Sequence, residues 1–397
     1  MSKTNHYFPF LAFLVTFEFA VYMSNDMILP ALIDVFNEFN EPQKLISLSL
    51  SVYLIGAVSL QLFIGPISDS IGRRPVFFAG GIIVLIGNFI GIFAQNSPVF
   101  FLARLLQGMG PCFISVVAYA CVHELYHTKA AINVISWMTS ITLFAPMIGP
   151  LFGSLVFTFF GWRYIFVSTF LVSFLSLIGI WFTMPETLSP NKTQKLEINS
   201  IGKKYFNLLK NKNFILGTLS YGLAFGAIMV WISSSPLVLM KIFQLDINQF
   251  SIIQIPVFLS FIIGTFLLRF MTKFKTPIFC IVLGTSISFV GIFFSTFFSF
   301  VYPNNLILLI ITISIFNFGY GLFSSPFNRV ILDSTKMEKG ISSALLYFIF
   351  FSLGAFSSAG FSVVYNNTVF SFLLYMLILF TLSLATLTLL KANKNKL

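Results

Sequence analysis

Long apolar runs alternate with short polar breaks along almost the whole chain. A helix needs about 20 apolar residues to cross a bilayer, and the charge-free stretches 75–103, 130–162, 164–185, 213–240 and 247–268 each admit one such span. Stretches 276–328 and 340–390 admit two each, with turns expected near Tyr302-Pro303-Asn304-Asn305 and Tyr365-Asn366-Asn367. Runs at 7–30 and 45–66 and a span around Arg104 complete twelve. The pattern predicts an all-α polytopic membrane protein with twelve transmembrane helices. Its most polar internal stretch, Pro185–Asn213, divides them six and six. The expected organisation is one six-helix bundle over 1–190, a cytoplasmic linker over 191–212 and a second bundle over 213–397.

Composition agrees: 57% of residues are hydrophobic and 9% charged, and mean hydropathy is +0.94, far from globular usage. The net charge of +11 invites a nucleic-acid reading, but the distribution of Lys and Arg opposes it. With the N-terminus inside, only Lys44, Arg163 and Lys241 fall in outer loops and Arg104 lies within a span. The remainder sit in the tails and inner loops, as the positive-inside rule requires. The charge thus reports orientation, with both termini cytoplasmic and no nucleic-acid partner. Cys112, Cys121 and Cys280 are odd in number and lie in or at the ends of apolar spans, so no disulfide framework is implied. The first run is long enough to span and has no small-residue cleavage site, so it is read as a retained helix. The 53 Phe read as compositional bias at lipid-facing positions.

The first span is the exception to its own apolarity. Phe17-Glu18-Phe19-Ala20-Val21-Tyr22-Met23-Ser24-Asn25-Asp26-Met27-Ile28-Leu29-Pro30 places two carboxylates in the bilayer, where each costs at least about 2.5 kcal/mol. At about 100° per residue, Glu18, Tyr22, Asn25 and Asp26 share one helix face. The two acids lie about 12 Å apart along the axis. Such a stripe must look into the bundle or a water-filled cavity. Arg104, in Leu102-Ala103-Arg104-Leu105-Leu106-Gln107-Gly108-Met109-Gly110, is the other charge well inside a span and the expected cation answering the carboxylates. Burial and a neighbouring guanidinium act on a carboxyl in opposite senses, which poises Asp26 or Glu18 to bind and lose a proton.

Gly65-Pro66-Ile67-Ser68-Asp69-Ser70-Ile71-Gly72-Arg73-Arg74-Pro75 reads as the loop between spans two and three. Gly65 and Gly72 are expected to make its tight turn, Asp69 to cap or pair with a neighbouring helix end, and Arg73 and Arg74 to anchor the inner face. In the fifth span Pro146 and Pro150 break the backbone ladder, while Gly149 and Gly153 allow close helix approach. The stretch from Arg329 to the loop Asp333–Lys339 echoes that from Arg104 to the loop His123–Lys129, making Arg329 a candidate cytoplasmic-side cation.

In this order and spacing the fragments resemble the major facilitator superfamily, in particular its MdfA-type multidrug/proton antiporters. Gly65–Arg74 is similar to the family's loop between spans two and three, Arg104–Gly108 to its span-four motif, and Pro146–Gly153 to its antiporter motif. The likeness extends to Met184-Pro185-Glu186-Thr187, Trp231–Pro236 and Arg329–Gly340. The resemblance implies that Glu18 and Asp26 carry proton coupling and cationic-substrate recognition. It further implies that Tyr22 and Asn25 line the substrate pocket and that Arg104 is essential. Ser70 departs from the family, which usually has a basic residue there, and Arg269–Pro277 lacks the glycines and acid of the first-half loop.

The expectation is a transporter, not an enzyme, with no catalytic residues, metal or cofactor. Its partners would be lipophilic small molecules, protons and membrane lipid, and it would act as a monomer in a bacterial inner membrane. A dedicated exporter of one metabolite or siderophore and a non-transporting receptor remain alternatives. His123-Glu124-Leu125-Tyr126-His127 matches a zinc-protease pattern, but His6 is the only other histidine and no strong third ligand is apparent.

Overall fold

In lipid a backbone segment must satisfy its own N–H and C=O groups, and a helix does so within itself. Every described element is helical. The structure, a computed structural model, describes residues 8–126, 128–188 and 198–394.

Helix α1 (Phe8–Asp26) stops at the acid that ends it. Pro30 has no N–H to give the Asp26 carbonyl four residues back. The chain turns there, passes through a 3₁₀ segment at Leu29–Ala31 and resumes as α2 (Leu32–Glu38). Helices α3 (Ile46–Ser59) and α4 (Ile64–Ile71) meet at a 43° bend. Next come α5 (Arg73–Ile92) and α6 (Ser97–Phe113), the latter capped by the Asn96 side chain, which accepts from the Val99 N–H at 3.0 Å. A π-helical turn at Ile114–Ala118 separates α6 from α7 (Tyr119–Leu125). Helices α8 (Thr128–Phe160) and α9 (Arg163–Thr183) follow.

A short amphipathic helix, α10 (Ile198–Lys210), leads into α11 (Lys212–Pro236), which ends in a second π-helical turn at Leu237–Ile242. Four long helices follow: α12 (Ile247–Met271), α13 (Pro277–Val301), α14 (Leu306–Asp333) and α15 (Lys339–Val364). The last is α16 (Val369–Lys394). Asp246, Thr276 and Asn305 cap their helices with side-chain oxygens, satisfying donors that the helix start leaves free. Among the described residues, 11 helices are long and apolar enough to cross a membrane, or 12 if the bent α3–α4 pair is one span. This is a multi-pass membrane protein.

The described residues gather into two compact units, one through Glu41 with Val52–Ile198, the other Pro42–Ser51 with Asn199–Leu397. In the first, α1 packs against α8 and α9, and α5 against α6 and α9. In the second, α14 packs against α12 and α13, and α11 against α15 and α16. There Ser220 and Ser383 exchange hydrogen bonds to each other's carbonyls at 2.8 and 2.7 Å. Phenylalanine serves both sides of this architecture. Phe159, Phe182 and Phe300 face outward, as the compositional reading expects, while Phe10, Phe17, Phe36, Phe77 and Phe100 are fully buried.

Candidate functional site

Two polar systems lie in the first unit, one inside the bundle and one at its end. The inner system is built around Arg104 of α6, which is 1% exposed. A buried guanidinium needs acceptors on several sides. One nitrogen, Nη1, donates to the Ser24 carbonyl at 3.0 Å and to Gln107 Oε1 at 2.8 Å. The other, Nη2, donates to Asn25 Oδ1. The Tyr53 ring lies beneath, its centroid 4.9 Å from the guanidinium carbon, and the Tyr53 hydroxyl donates to the Val21 carbonyl at 3.4 Å.

Asp26 is buried at the break of α1 and accepts from Asn25 Nδ2 at 3.0 Å. Arg104 thus lies near Asp26 but reaches it at one remove. Among the described residues no ion pair joins Arg104 to Asp26 or Glu18. The Asn25 amide stands between them, its oxygen on the guanidinium and its nitrogen on the carboxylate. Pro30 explains why two adjacent side chains can do this, because the helix ends at Asp26 and its direction changes there.

Glu18 sits two turns deeper, fully buried. It accepts from the Tyr119 hydroxyl at 3.4 Å on Oε1, while Oε2 is buried without a partner among the described residues. Tyr119 opens α7 directly after the π-helical turn, a feature that often marks functional sites. Tyr22 is half-buried on α1. Helix α8 backs onto the break: a Cβ at Gly149 would collide with the Asp26 Cβ, and one at Gly153 with the Met27 carbonyl. These glycines admit α8 to van der Waals contact with α1 at the acid. Pro146 and Pro150 lie inside the same helix.

The end system is built on Arg73. Its guanidinium meets Asp69 at 2.5 Å and Glu124 at 3.1 Å, and donates to Ser68 Oγ. The Glu186 carboxylate accepts from the Arg73 and Arg74 backbone N–H groups at 3.0 and 3.1 Å, closing the start of α5. Arg74 donates to the Trp181 carbonyl at 2.7 Å and lies over the Trp181 ring. The arginine pair thus joins three helix ends.

Gly72 makes the turn at φ 107°. A Cβ there would also lie 2.6 Å from Glu186 Oε2. The expectation for Gly65 is corrected: it is helical, within α4. Pro66, in the first turn of α4, costs no intrahelical bond and seeds the helix, so the chain bends earlier, between Ser59 and Ile64. Glu124, part of the protease-like pattern, is held by Arg73 and by the Thr187 hydroxyl. His127 and His6 lie outside the described residues. No group of three metal-ligating side chains occurs among the described residues.

Arg329 does not repeat Arg104. It is 83% exposed near the end of α14 and pairs with Asp333 at 3.5 Å, a residue also bound by Lys339 at 2.6 Å. Four residues from its helix end, it is exposed where Arg104 is buried.

Sequence reasoning singled out Glu18, Asn25, Asp26 and Arg104 but not their supports Gln107, Tyr53 and Tyr119, nor Glu186 at the start of α5. Gln107 carried a signal, three residues from Arg104 on the same helix face. Asn88, which accepts from Gln107, carried another, the one amide side chain within α5. Tyr53 and Tyr119 come from other helices and are placed by packing alone.

A family model described as Major Facilitator Superfamily matches residues 14–359. The chain is 34% identical over 346 residues to the multidrug transporter MdfA of Yersinia pestis bv. Antiqua (strain Angola), covering 86% of this chain and 84% of that protein. It is 31% identical over 344 residues to the MdfA of Escherichia coli O157:H7, with the same coverage. The multidrug resistance protein MdtM of Escherichia coli (strain K12) is 32% identical over 333 residues, 84% of this chain and 81% of that one. Among solved structures, the xylose transporter XylE from E. coli in a partially occluded inward-open conformation superposes with a TM-score of 0.74 at 17% identity. That match covers 98% of each chain and speaks to the fold.

Proposed function

The chain belongs to the Major Facilitator Superfamily, and from that premise we propose that it is a proton-coupled antiporter exporting small lipophilic cations and neutral compounds. It works across a bacterial inner membrane, with both termini cytoplasmic. The observation that carries this reading is the indirect coupling of Asp26 to Arg104 through Asn25. A carboxylate locked in a direct buried ion pair gives up its charge at a cost of several kcal/mol. Here the guanidinium keeps three neutral oxygens and an aromatic face whichever state Asp26 adopts. Asp26 is thereby free to exchange a proton for a substrate. Glu18, with one oxygen unpartnered among the described residues, supplies a second negative pole for cationic substrates, and Tyr22 and Asn25 share its helix face. The similarity to proteins named multidrug transporters supports breadth of substrate.

One proton driven by about 150 mV contributes about 3.5 kcal/mol, and one pH unit adds about 1.4 kcal/mol. Together they sustain a gradient of more than roughly a thousandfold for a neutral substrate exchanged one for one. A monovalent cation exchanged for one proton moves no net charge and draws on the pH term alone. The test is proton release from the detergent-solubilised protein when a lipophilic phosphonium cation is added, with a growth-inhibition panel in an efflux-deficient bacterium. Release that tracks binding is expected. Binding without release removes the antiport reading and favours a receptor, while protection against a single compound favours a dedicated exporter.

A further inference from the structure

Behind Arg104 the polar chain continues, away from Asp26, through Gln107 of the span-four motif to two residues that no motif includes, Asn88 and Thr169. Gln107 Nε2 donates to Asn88 Oδ1 at 2.8 Å. Thr169 Oγ1, from α9, approaches the same oxygen at 2.6 Å. Asn88 Nδ2 donates to the Val84 carbonyl of its own helix at 3.0 Å. Asn88 is fully buried, and Gln107 and Thr169 are nearly so. The approach is set by Gly87, where a Cβ would lie 2.9 Å from the Gln107 backbone nitrogen. Helix α5 can therefore press Asn88 against α6.

The direction of every bond in this chain follows from one atom. An amide side chain can be turned end for end, and the hydrogen-bond network decides its orientation. A backbone carbonyl only accepts, so the Val84 oxygen forces Asn88 to present nitrogen to it and oxygen to α6. That oxygen in turn forces Gln107 to present its nitrogen to Asn88 and its own oxygen to Arg104. Thr169 adds a second donor to Asn88 Oδ1; its hydroxyl also lies 3.0 Å from the Ile165 carbonyl and 3.1 Å from the Phe166 carbonyl. Turned the other way, Gln107 would set an NH₂ group against the guanidinium, two donors facing with no acceptor between.

Resting on the antiport reading above, we infer that Asn88 and Thr169 are positioning residues for Arg104. They polarise Gln107 from behind so that the guanidinium stays on Asn25 and, through it, within reach of Asp26. The ionisable groups acting on Arg104 are Asp26 and Tyr53, with Cys112 beside Tyr53. None belongs to the Asn88–Thr169 shell, so removing a hydroxyl or amide there changes the field at Asp26 only by letting Arg104 move.

The experiment uses the purified full chain and tetraphenylphosphonium as probe. Proton release and affinity are measured across the neutral pH range, alongside thermal unfolding. Thr169→Val keeps shape and loses the hydroxyl; Thr169→Ser restores it. Asn88→Leu removes the whole relay, and Gln107→Leu removes its target. The expected result is a midpoint of proton release moved to higher pH by about half a unit, roughly a threefold change in proton affinity, in Thr169→Val and further in Asn88→Leu. Thr169→Ser stays at the wild-type value, and Thr169→Val adds nothing in the Gln107→Leu background because both act along one path.

A folded Thr169→Val protein with an unmoved midpoint overturns the inference, as does additivity with Gln107→Leu. Should Asn88→Leu fail to fold, the threonine series decides alone. Wild-type protein that releases no proton on binding refutes the antiport reading instead. The positioning role is then judged on phosphonium affinity, where loss of additivity between Thr169→Val and Gln107→Leu supports it and full additivity ends it.

Discussion

Replacing Asp26 by Asn separates the two ways an intramembrane carboxylate can matter. The amide keeps the shape and one acceptor oxygen but cannot ionise. In this structure Asn25 Nδ2 donates to Asp26 at 3.0 Å, a bond the new amide oxygen can accept. Arg104 keeps the Ser24 carbonyl, Gln107 Oε1 and Asn25 Oδ1, so no buried charge is orphaned. The stability cost is then at most that of re-forming one hydrogen bond, about 1 kcal/mol. Removing one member of a direct buried pair would instead cost about 3–5 kcal/mol. The functional cost is of another order: proton-driven efflux fails and ligand affinity loses its pH dependence, while neutral ligands still bind. The assay is thermal unfolding of wild type and Asp26→Asn in one detergent, with phosphonium affinity measured against pH and ligand-induced proton release. A destabilisation of several kcal/mol would refute the amide-bridged arrangement. Intact proton release in the mutant would move the exchange site to Glu18, and loss of release in both single mutants would show a coupled pair that titrates as a unit.

Glu18→Gln retains an acceptor for Tyr119 and removes a fixed charge, so resistance to lipophilic cations should fall more than resistance to neutral compounds; equal loss for both classes in a growth-inhibition panel contradicts this. Gly149→Ala places a methyl on the Asp26 Cβ and should reduce transport about tenfold or more with lower thermal stability, an overpacking cost of about 1–3 kcal/mol. Gly202→Ala in α10, where nothing lies within 4 Å, is the control and should be neutral to slightly stabilising; comparable damage from both would show that helix packing at Asp26 is not special. Glu186→Gln gives up a charge-assisted cap on two backbone donors and should cost about 1 kcal/mol, measured by thermal unfolding. Gly72→Ala should cost more, since it strains the turn at φ 107° as well as displacing that carboxylate, and the reverse order would count against the cap.

Charge in lipid is expensive enough to be visible without coordinates, and that is why Glu18, Asp26 and Arg104 stand out from their runs while their neutral supports do not. Asn25 could be placed on the right face of α1 by helical geometry. Its role as the bridge to Arg104 depends on where α6 crosses the end of α1, and the break at Pro30 sets that. Local sequence also misjudged Gly65, because Pro66 immediately after it favours the first turn of a helix over a loop. The apparent echo of Arg104 in Arg329 fails for a related reason. Spacing relative to a loop was similar, but Arg329 lies one turn from its helix end and pairs with Asp333 in exposed surroundings. What separates the two arginines is depth, and depth follows from helix ends. Capping residues such as Asn96, Asp246 and Asn305 mark where helices start, whereas a break inside the bilayer is marked by a single proline, itself tolerated in many spans. Reading Pro30 together with the acid four residues before it is therefore the informative step. A freed carbonyl and an ionisable side chain on the same residue, faced by two glycines of α8, describe a position where α1 is interrupted in close contact with α8.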